Sequence, residues 1–193
     1  MDKNQVITFF DDAAKSWDSF QIRNEDAISY ILDKGEISEG RKILDIACGT
    51  GVLFPDYIRR EAVVTGVDIS PEMVQIAREK FPDIEVICAD AEEYAFSEAY
   101  DSVMIYNAFP HFADPKRLLE NLSKALKDNG RLTVAHGISE KELEKCHSTV
   151  AKHISLPLPS KEKLSEIMSE FFSVDVMISD EEKYIVSGVK KQI

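Results

Sequence analysis

Residues Ile43 to Gly51 read ILDIACGTG. Branched apolar residues surround one Asp, and a turn with glycines at Gly49 and Gly51 follows. This is the pattern of a buried strand that ends in a tight turn where the backbone can come close to a ligand. The stretch poses a choice between a turn that cradles a phosphate and one that lies against an uncharged or cationic ligand. A dinucleotide turn carries a third glycine, so that the next helix packs close and points its amino terminus at a pyrophosphate. Here that position, three beyond Gly51, is Phe54. A Walker-type loop needs Gly-Lys-Ser/Thr after the turn, and none follows. The phosphate readings fail on particular residues.

Outward from this turn, short apolar runs alternate with helical stretches. Strands are expected at Lys42 to Ile46, Val63 to Asp68, Ile84 to Ala89, Asp101 to Tyr106 and Arg131 to His136. Helices are expected between them, the clearest at SPEMVQIAREKF, with Ser70 as N-cap and Pro71 at the first helical position. Asp114 with Pro115 opens another, and Ser139 with Glu142 has capping-box spacing. LPLPS interrupts the chain before a helix at KEKLSEIMSEF, and the last stretch alternates like a β-hairpin around SDEEK. Ahead of the sheet, apolar residues from Val6 to Phe20 recur at helical steps, and a second helix stops at Gly35. The expected fold is therefore α/β: a Rossmann-like three-layer sandwich with a mostly parallel seven-stranded sheet and an antiparallel C-terminal hairpin. It forms a single domain over 1–193, with 1–40 as an amino-terminal helical lid and 41–193 as the α/β core. In such sheets the ligand sits beyond the carboxyl ends of the strands, where strand order reverses.

Asp68 ends the second expected strand, where a carboxylate can accept hydrogen bonds from two ribose hydroxyls. A ribose without a pyrophosphate means a nucleoside. From this point the sequence resembles the class I S-adenosylmethionine-dependent methyltransferases. The resemblance rests on ILDIACGTG, VDISPEMV, CADAEEY, YDSVMIYNAFPHF and LKDNGRLTVAH, in family order from Ile43 to His136. It implies S-adenosylmethionine as cofactor. It further implies that Asp45 braces the turn and that the backbone of Ala47, Gly49 and Gly51 lies along the methionine and ribose parts. Asp68 would hold the ribose, Ile69 the adenine face, and Asp90 beside Ala91 the adenine amino group, with Asn107 near the methionine end. Ala47 replaces the usual first glycine, as in relatives similar to the menaquinone and ubiquinone C-methyltransferases. The further substrate-side motifs of those enzymes are absent. Trp17 is read either as a lid residue over the methionine moiety or as ordinary core.

A methyl on a sulfonium is already activated, so transfer requires alignment and exclusion of water more than strong acid or base groups. Of the four histidines, His111 follows the fourth strand, His136 ends the fifth, and His147 lies on the helix that Ser139 starts. They are the catalytic candidates. Three readings stay open: separate capping or core roles, a general base, or a divalent metal at the cluster. Spacing alone gives no zinc motif. Cys48 and Cys146 read as small buried residues.

The net charge of −12 and pI near 4.8 argue against nucleic acid as partner, because that affinity comes mostly from Lys and Arg on phosphates. Three scattered cysteines suit a reducing compartment, and with no apolar run of spanning length the expected location is the cytoplasm, without membrane insertion. A small-molecule methyl acceptor is the expected partner, and a homodimer is left open. Two alternatives stand beside methyl transfer: an NAD-type oxidoreductase with an atypical glycine turn, and a cofactor-binding regulator without turnover.

Overall fold

The computed structural model describes residues 2–20, 23–97, 99–143 and 153–192. Its sheet has seven strands: β1 Lys42–Ile46, β2 Val63–Asp68, β3 Glu85–Cys88, β4 Tyr100–Tyr106, β5 Leu126–His136, β6 Phe172–Ser179 and β7 Tyr184–Lys190, in the spatial order β3-β2-β1-β4-β5-β7-β6. β7 is antiparallel to both of its neighbours, and the pairs from β3 to β5 are parallel. Strand order reverses beside β1, so the carboxyl ends of β1, β2 and β4 share one crevice.

Period-two alternation decides which helices cover which face. Leu44 and Ile46 join Val103, Ile105, Leu132 and Val134 under α6 (Pro115–Ala125) and α7 (Lys161–Met168). Ile43, Met104 and Ala135 lie on the other face with α3 (Glu25–Lys34), α4 (Phe54–Arg59) and α5 (Pro71–Lys80). α6 forms because Leu118, Leu119, Leu122 and Ala125 recur on one face and Asp114 caps Arg117 N at 3.1 Å.

The amino-terminal helix differs from its expected form. It runs as α1 (Lys3–Ala13), a 3₁₀ turn (Ala14–Ser16) and α2 (Trp17–Phe20). The 3₁₀ turn buries Ala14 and packs against α5, and the backbone stays helical through Trp17. The fifth strand begins five residues earlier than expected because Leu126 already pairs with Tyr100, with a bulge before Ser102. The capping box at Ser139 forms, with Glu142 N donating to Ser139 Oγ at 3.2 Å, and the helix it starts is described as far as Leu143. Among the described residues no helix is long and apolar enough to cross a membrane.

Candidate functional site

The turn after β1 is shaped by backbone in the left-handed region: Ala47 has φ 55°, Gly49 55° and Gly51 84°. It is stitched to the end of β2, since Cys48 N donates to Val67 O at 3.1 Å and Gly49 N donates to Asp68 Oδ2 at 2.8 Å. The other oxygen of Asp68 accepts from Ser70 N at 2.9 Å. Asp68 thus performs the bracing expected of Asp45. Asp45 is buried on the α4 side of β1, its Oδ2 has no hydrogen-bond partner, and burial together with the nearby Asp68 holds its carboxyl well above the ordinary range. Burial pushes Asp68 up to about 6 despite the lowering effect of the Ser70 and Gly49 amides.

The two glycines differ in purpose. A β-carbon on Gly49 would stand 3.6 Å from the Trp17 indole nitrogen, on the cavity side. On Gly51 it would stand 2.6 Å from Phe54 and 2.9 Å from Phe81. Gly51 is not on the cavity wall, a correction to its expected place beside a ligand. It is glycine because the Phe54 ring fills the space on its inner side. Gly66 makes way for the same ring. The residue that breaks the dinucleotide pattern is therefore the plug of the helix–strand junction.

Ala47 pays for a conformation glycine adopts freely. Left-handed backbone costs an L-residue roughly 1–2 kcal/mol, and glycine's extra chain entropy offsets about 0.5–1 kcal/mol of the relief. Ala47→Gly should raise the melting temperature by about 1–4 °C for a chain of this size. A lower value in a thermal denaturation scan would show that the methyl's packing against Ala91 and Phe109's cluster outweighs the strain.

Beyond the carboxyl ends of β1, β2 and β4 lies a cavity of about 440 Å³. Its lining includes Asp68, Ile69, Asp90, Ala91 and Glu92 from the ends of β2 and β3, and the apolar side chains of Val6, Phe9, Phe10, Phe112, Ile138 and Leu143. Ala47, Gly49, Met73, Tyr106, Asn107 and His111 lie along it. Asn107 adopts φ 55°, donates its N–H to Ala135 O at 2.9 Å and accepts from Gly137 N at 3.0 Å, which ties the ends of β4 and β5 together.

α1 closes the top. Lys3 Nζ lies 2.5 Å from Asp90 and 2.7 Å from Glu92. Asp11 accepts from Ser70 Oγ at 2.5 Å and from Glu72 N at 3.2 Å, adding a second cap to α5. Asp18 bridges Thr50 and Lys80 at 2.5 and 2.6 Å. Phe10 stands edge-on to Phe9, Trp17 and His111, at 5.1–5.5 Å between ring centres.

Of the histidines, His111 lines the cavity. Its Nδ1 is 3.0 Å from Ile154 O and 3.1 Å from Ser155 Oγ. A carbonyl only accepts, so Nδ1 carries the hydrogen and Nε2 is the basic nitrogen of the neutral ring. The ISLPLPS segment therefore serves the site by orienting His111. His136 is sealed, 0 % exposed, with its ring edge-on to Tyr184 at 5.9 Å and outside the cavity wall. That corrects the expectation that both imidazoles open onto the pocket: His136 is on the β5 residue paired with Tyr184, which covers it. His147 lies outside the described residues. Among the described residues no three His, Cys, Asp or Glu side chains are grouped to hold a metal ion.

Lys3, Glu92 and Tyr106 are site residues that sequence reasoning missed. Tyr106, 7 % exposed, has its hydroxyl pressed against Gly137, where a β-carbon would stand 2.2 Å away. Burial pushes it up to about 12, so it keeps its proton at neutral pH. The only signal for it was its place at the end of β4, one residue before Asn107.

The doubly wound sheet thus carries, at its switch point, a cavity rich in carboxylates and without a phosphate cradle. The family profile described as "Methyltransferase domain" matches residues 43–130, and the chain is similar to S-adenosylmethionine-dependent methyltransferases in sequence and fold. It is 31 % identical over 145 residues to the ubiquinone biosynthesis O-methyltransferase of Vibrio atlanticus (strain LGP32), covering 68 % of this chain and 61 % of that protein. The chain spans about half to three-fifths of the length of the curated relatives it matches. Two solved structures share the fold. One belongs to the complex between the Haloferax volcanii Trm112 methyltransferase activator and a methyltransferase, with TM-score 0.80, 20 % identity, and coverage of 95 % of this chain and 98 % of that one. The other is the magnesium protoporphyrin IX methyltransferase of Synechocystis PCC 6803 with bound SAH, with TM-score 0.74, 17 % identity, and coverage of 98 % and 100 %.

Proposed function

We propose that the chain transfers the methyl group of S-adenosylmethionine to a small-molecule acceptor. The observation that carries this reading is the switch-point cavity, lined by the carboxylates that follow β2 and β3, Asp68, Asp90 and Glu92, and by Phe9, Phe10 and His111. The carboxylates Asp68, Asp90 and Glu92 against one ammonium, Lys3, among the described wall residues suit a cationic nucleoside and not a pyrophosphate. Asp68 would accept the ribose hydroxyls on lone pairs that Gly49 and Ser70 leave over, since each carboxylate oxygen has two. Ile69 would lie on the adenine, and Asp90 beside Ala91 would accept from its amino group. Ala47 and Gly49 would follow the methionine part, with Asn107 at its end.

When bound, the cofactor supplies an already activated methyl group on a sulfonium. The protein's work is then to align the acceptor, exclude water and receive a proton. His111 is the proposed base, held as the correct tautomer by Ile154. An oxidoreductase reading has no support, since Phe54 occupies the helix–strand junction that a pyrophosphate site needs open.

The test is transfer from labelled S-adenosylmethionine to a panel of small acceptors. His111→Ala should lower kcat by roughly 10²-fold or more, the usual share of a general base, and leave SAH affinity within about twofold. Unchanged turnover in His111→Ala would remove the base assignment, and no transfer to any acceptor would leave a regulator.

We also propose that 1–40 is a lid, supported by the Lys3, Asp11 and Asp18 contacts that latch it onto the core. Losing hydrogen bonds to the charged Asp11 removes about 1.5–3 kcal/mol. In Asp11→Ala, amide exchange from Val6 to Trp17 should accelerate by about 10- to 150-fold, and SAH should slow it in the parent protein. Identical rates in all states would mean a fixed helix.

A further inference from the structure

We infer that Lys3 is a cofactor-binding residue: its ammonium and the Asp90 carboxylate together read the adenine, the carboxylate accepting from the amino group and the ammonium donating to a ring nitrogen beside it. This rests on the methyl-transfer reading above and adds the lid to the surfaces that recognise the base.

The pair is fixed from both sides. Asp90 Oδ1 accepts from Glu92 N at 2.9 Å, and Asp90 O accepts from Glu93 N and Tyr94 N at 3.0 and 2.8 Å, so the residue opens a tight turn after β3 and its carboxylate is held in place. Its other oxygen, Oδ2, meets Lys3 Nζ at 2.5 Å. Glu92 is buried and held in the same way: Oε1 accepts from Asp114 N at 3.0 Å, and Oε2 meets Lys3 Nζ at 2.7 Å. The ammonium is thus seated on two carboxylates that are each anchored by a backbone amide. Burial alone would lower the Lys3 pKa, but the hydrogen bonds to Asp90 and Glu92 outweigh it and hold the group above its ordinary value, so Lys3 stays charged. On the lid, Asp2 caps α1 by accepting from Asn4 N at 2.9 Å, which sets Lys3 as the first helical residue.

An ammonium has three N–H donors. Among the described residues two are directed to Asp90 and Glu92, and Glu93 Oε1, at 3.7 Å, is beyond hydrogen-bond reach. Lys3 and Asp90 both line the cavity, so its wall carries a donor and an acceptor 2.5 Å apart. Adenine presents the complementary pair, an amino donor beside a ring-nitrogen acceptor, which is why a single Asn or Gln side chain can read it with two hydrogen bonds. Here the two halves of such an amide come from separate residues, one on the core and one on the lid. Asp90 can serve the base and Lys3 together, because each carboxylate oxygen has two lone pairs. Closure of α1 then completes the adenine site.

A plain ion-pair latch and a base contact differ in one consequence. Losing a latch weakens every ligand alike, whereas losing a base contact weakens only ligands that carry its acceptor.

The experiment uses the full chain and calorimetry with SAH and with its 1-deaza and 7-deaza analogues, in each of which one ring nitrogen beside the amino group is replaced by C–H. Lys3→Met keeps the length of the side chain and removes its charge and donors. It should weaken SAH by about tenfold, the low end for a hydrogen bond to a charged group, because the Lys3 side chain is 32 % exposed. The parent protein should bind one of the two analogues about tenfold more weakly than SAH, and Lys3→Met should bind that analogue as well as the parent does. Lys3→Arg keeps charged donors and should lose less SAH affinity than Lys3→Met. An equal loss in Lys3→Met for SAH and both analogues overturns the inference and leaves Lys3 a latch, as does unchanged SAH affinity in Lys3→Met. Equal affinity of the parent for all three ligands also overturns it, and that comparison depends on no variant. Absence of SAH binding to the parent defeats the methyl-transfer reading itself, which separates the two failures.

Discussion

Asp68→Ala should weaken SAH binding by at least about 100-fold, more than the removal of one ribose contact predicts. Hydrogen bonds to a charged group contribute about 1.5–3 kcal/mol, and a stranded buried donor costs about 1–3 kcal/mol more. Asp68 holds Gly49 N and Ser70 N at 2.8 and 2.9 Å, so its loss strands both amides and frees the turn that the ligand must lie against. Asp68→Asn keeps one acceptor oxygen and should fall between the two. Calorimetry with SAH checks the series. An Asp68→Ala protein that melts normally and binds SAH with unchanged affinity would end the ribose assignment.

The same residue sets a pH signature. Its carboxyl sits at about 6 in the folded chain, above the ordinary value of 3.8, so between these limits the native state holds a proton that the unfolded chain has released. Stability from this group is therefore present below that window and is lost as pH rises through it. Ligand affinity runs the other way, because the ribose hydroxyls need the ionised acceptor. SAH binding should weaken by up to about tenfold for each unit below pH 6, and Asp68→Asn should flatten that dependence.

How far this site could be read from the chain depends on distance along it. β1 and β2 emerged residue for residue, because a buried parallel strand bounded by turn residues is a local pattern. Ser70 and Asp114 were equally plain as caps, since the cap and its partner amide lie three residues apart. The 3₁₀ turn that splits the first helix was not, because nothing in AKS departs from helical spacing; the break answers to the surface it packs against. Lys3 and Asp90 are 87 positions apart, and no periodicity links them. The family pattern pointed to Asp68 as a ligand acceptor but not to its second role, which appears only when the turn after β1 folds against the end of β2. His136 misled for a similar reason: it ends a strand at the correct edge of the sheet, yet β7 places Tyr184 over it.

Gly51→Val should be the most destabilising single change at the turn, and for a reason unrelated to ligand binding. A β-carbon there falls 2.6 Å from Phe54 and 2.9 Å from Phe81, on backbone at φ +84°. Overpacking costs about 1–3 kcal/mol and left-handed backbone roughly another 1–2 kcal/mol. The sum, on the order of 2–5 kcal/mol, corresponds to a fall of about 4–20 °C in melting temperature at this chain length. Gly49→Val should behave oppositely. Its φ of +55° is strained too, but its side chain enters the open cavity beside Trp17, so melting changes less while SAH binding is lost. A double-mutant cycle decides the cause. With Phe54→Ala in the background, Gly51→Val should cost at least about 1 kcal/mol less, because the clash with Phe54 is gone while the Phe81 contact and the backbone part remain. Additive effects would show that the Phe54 ring is not what requires glycine at 51. Loss of SAH binding in a Gly51→Val protein that still folds would put Gly51 back against the ligand.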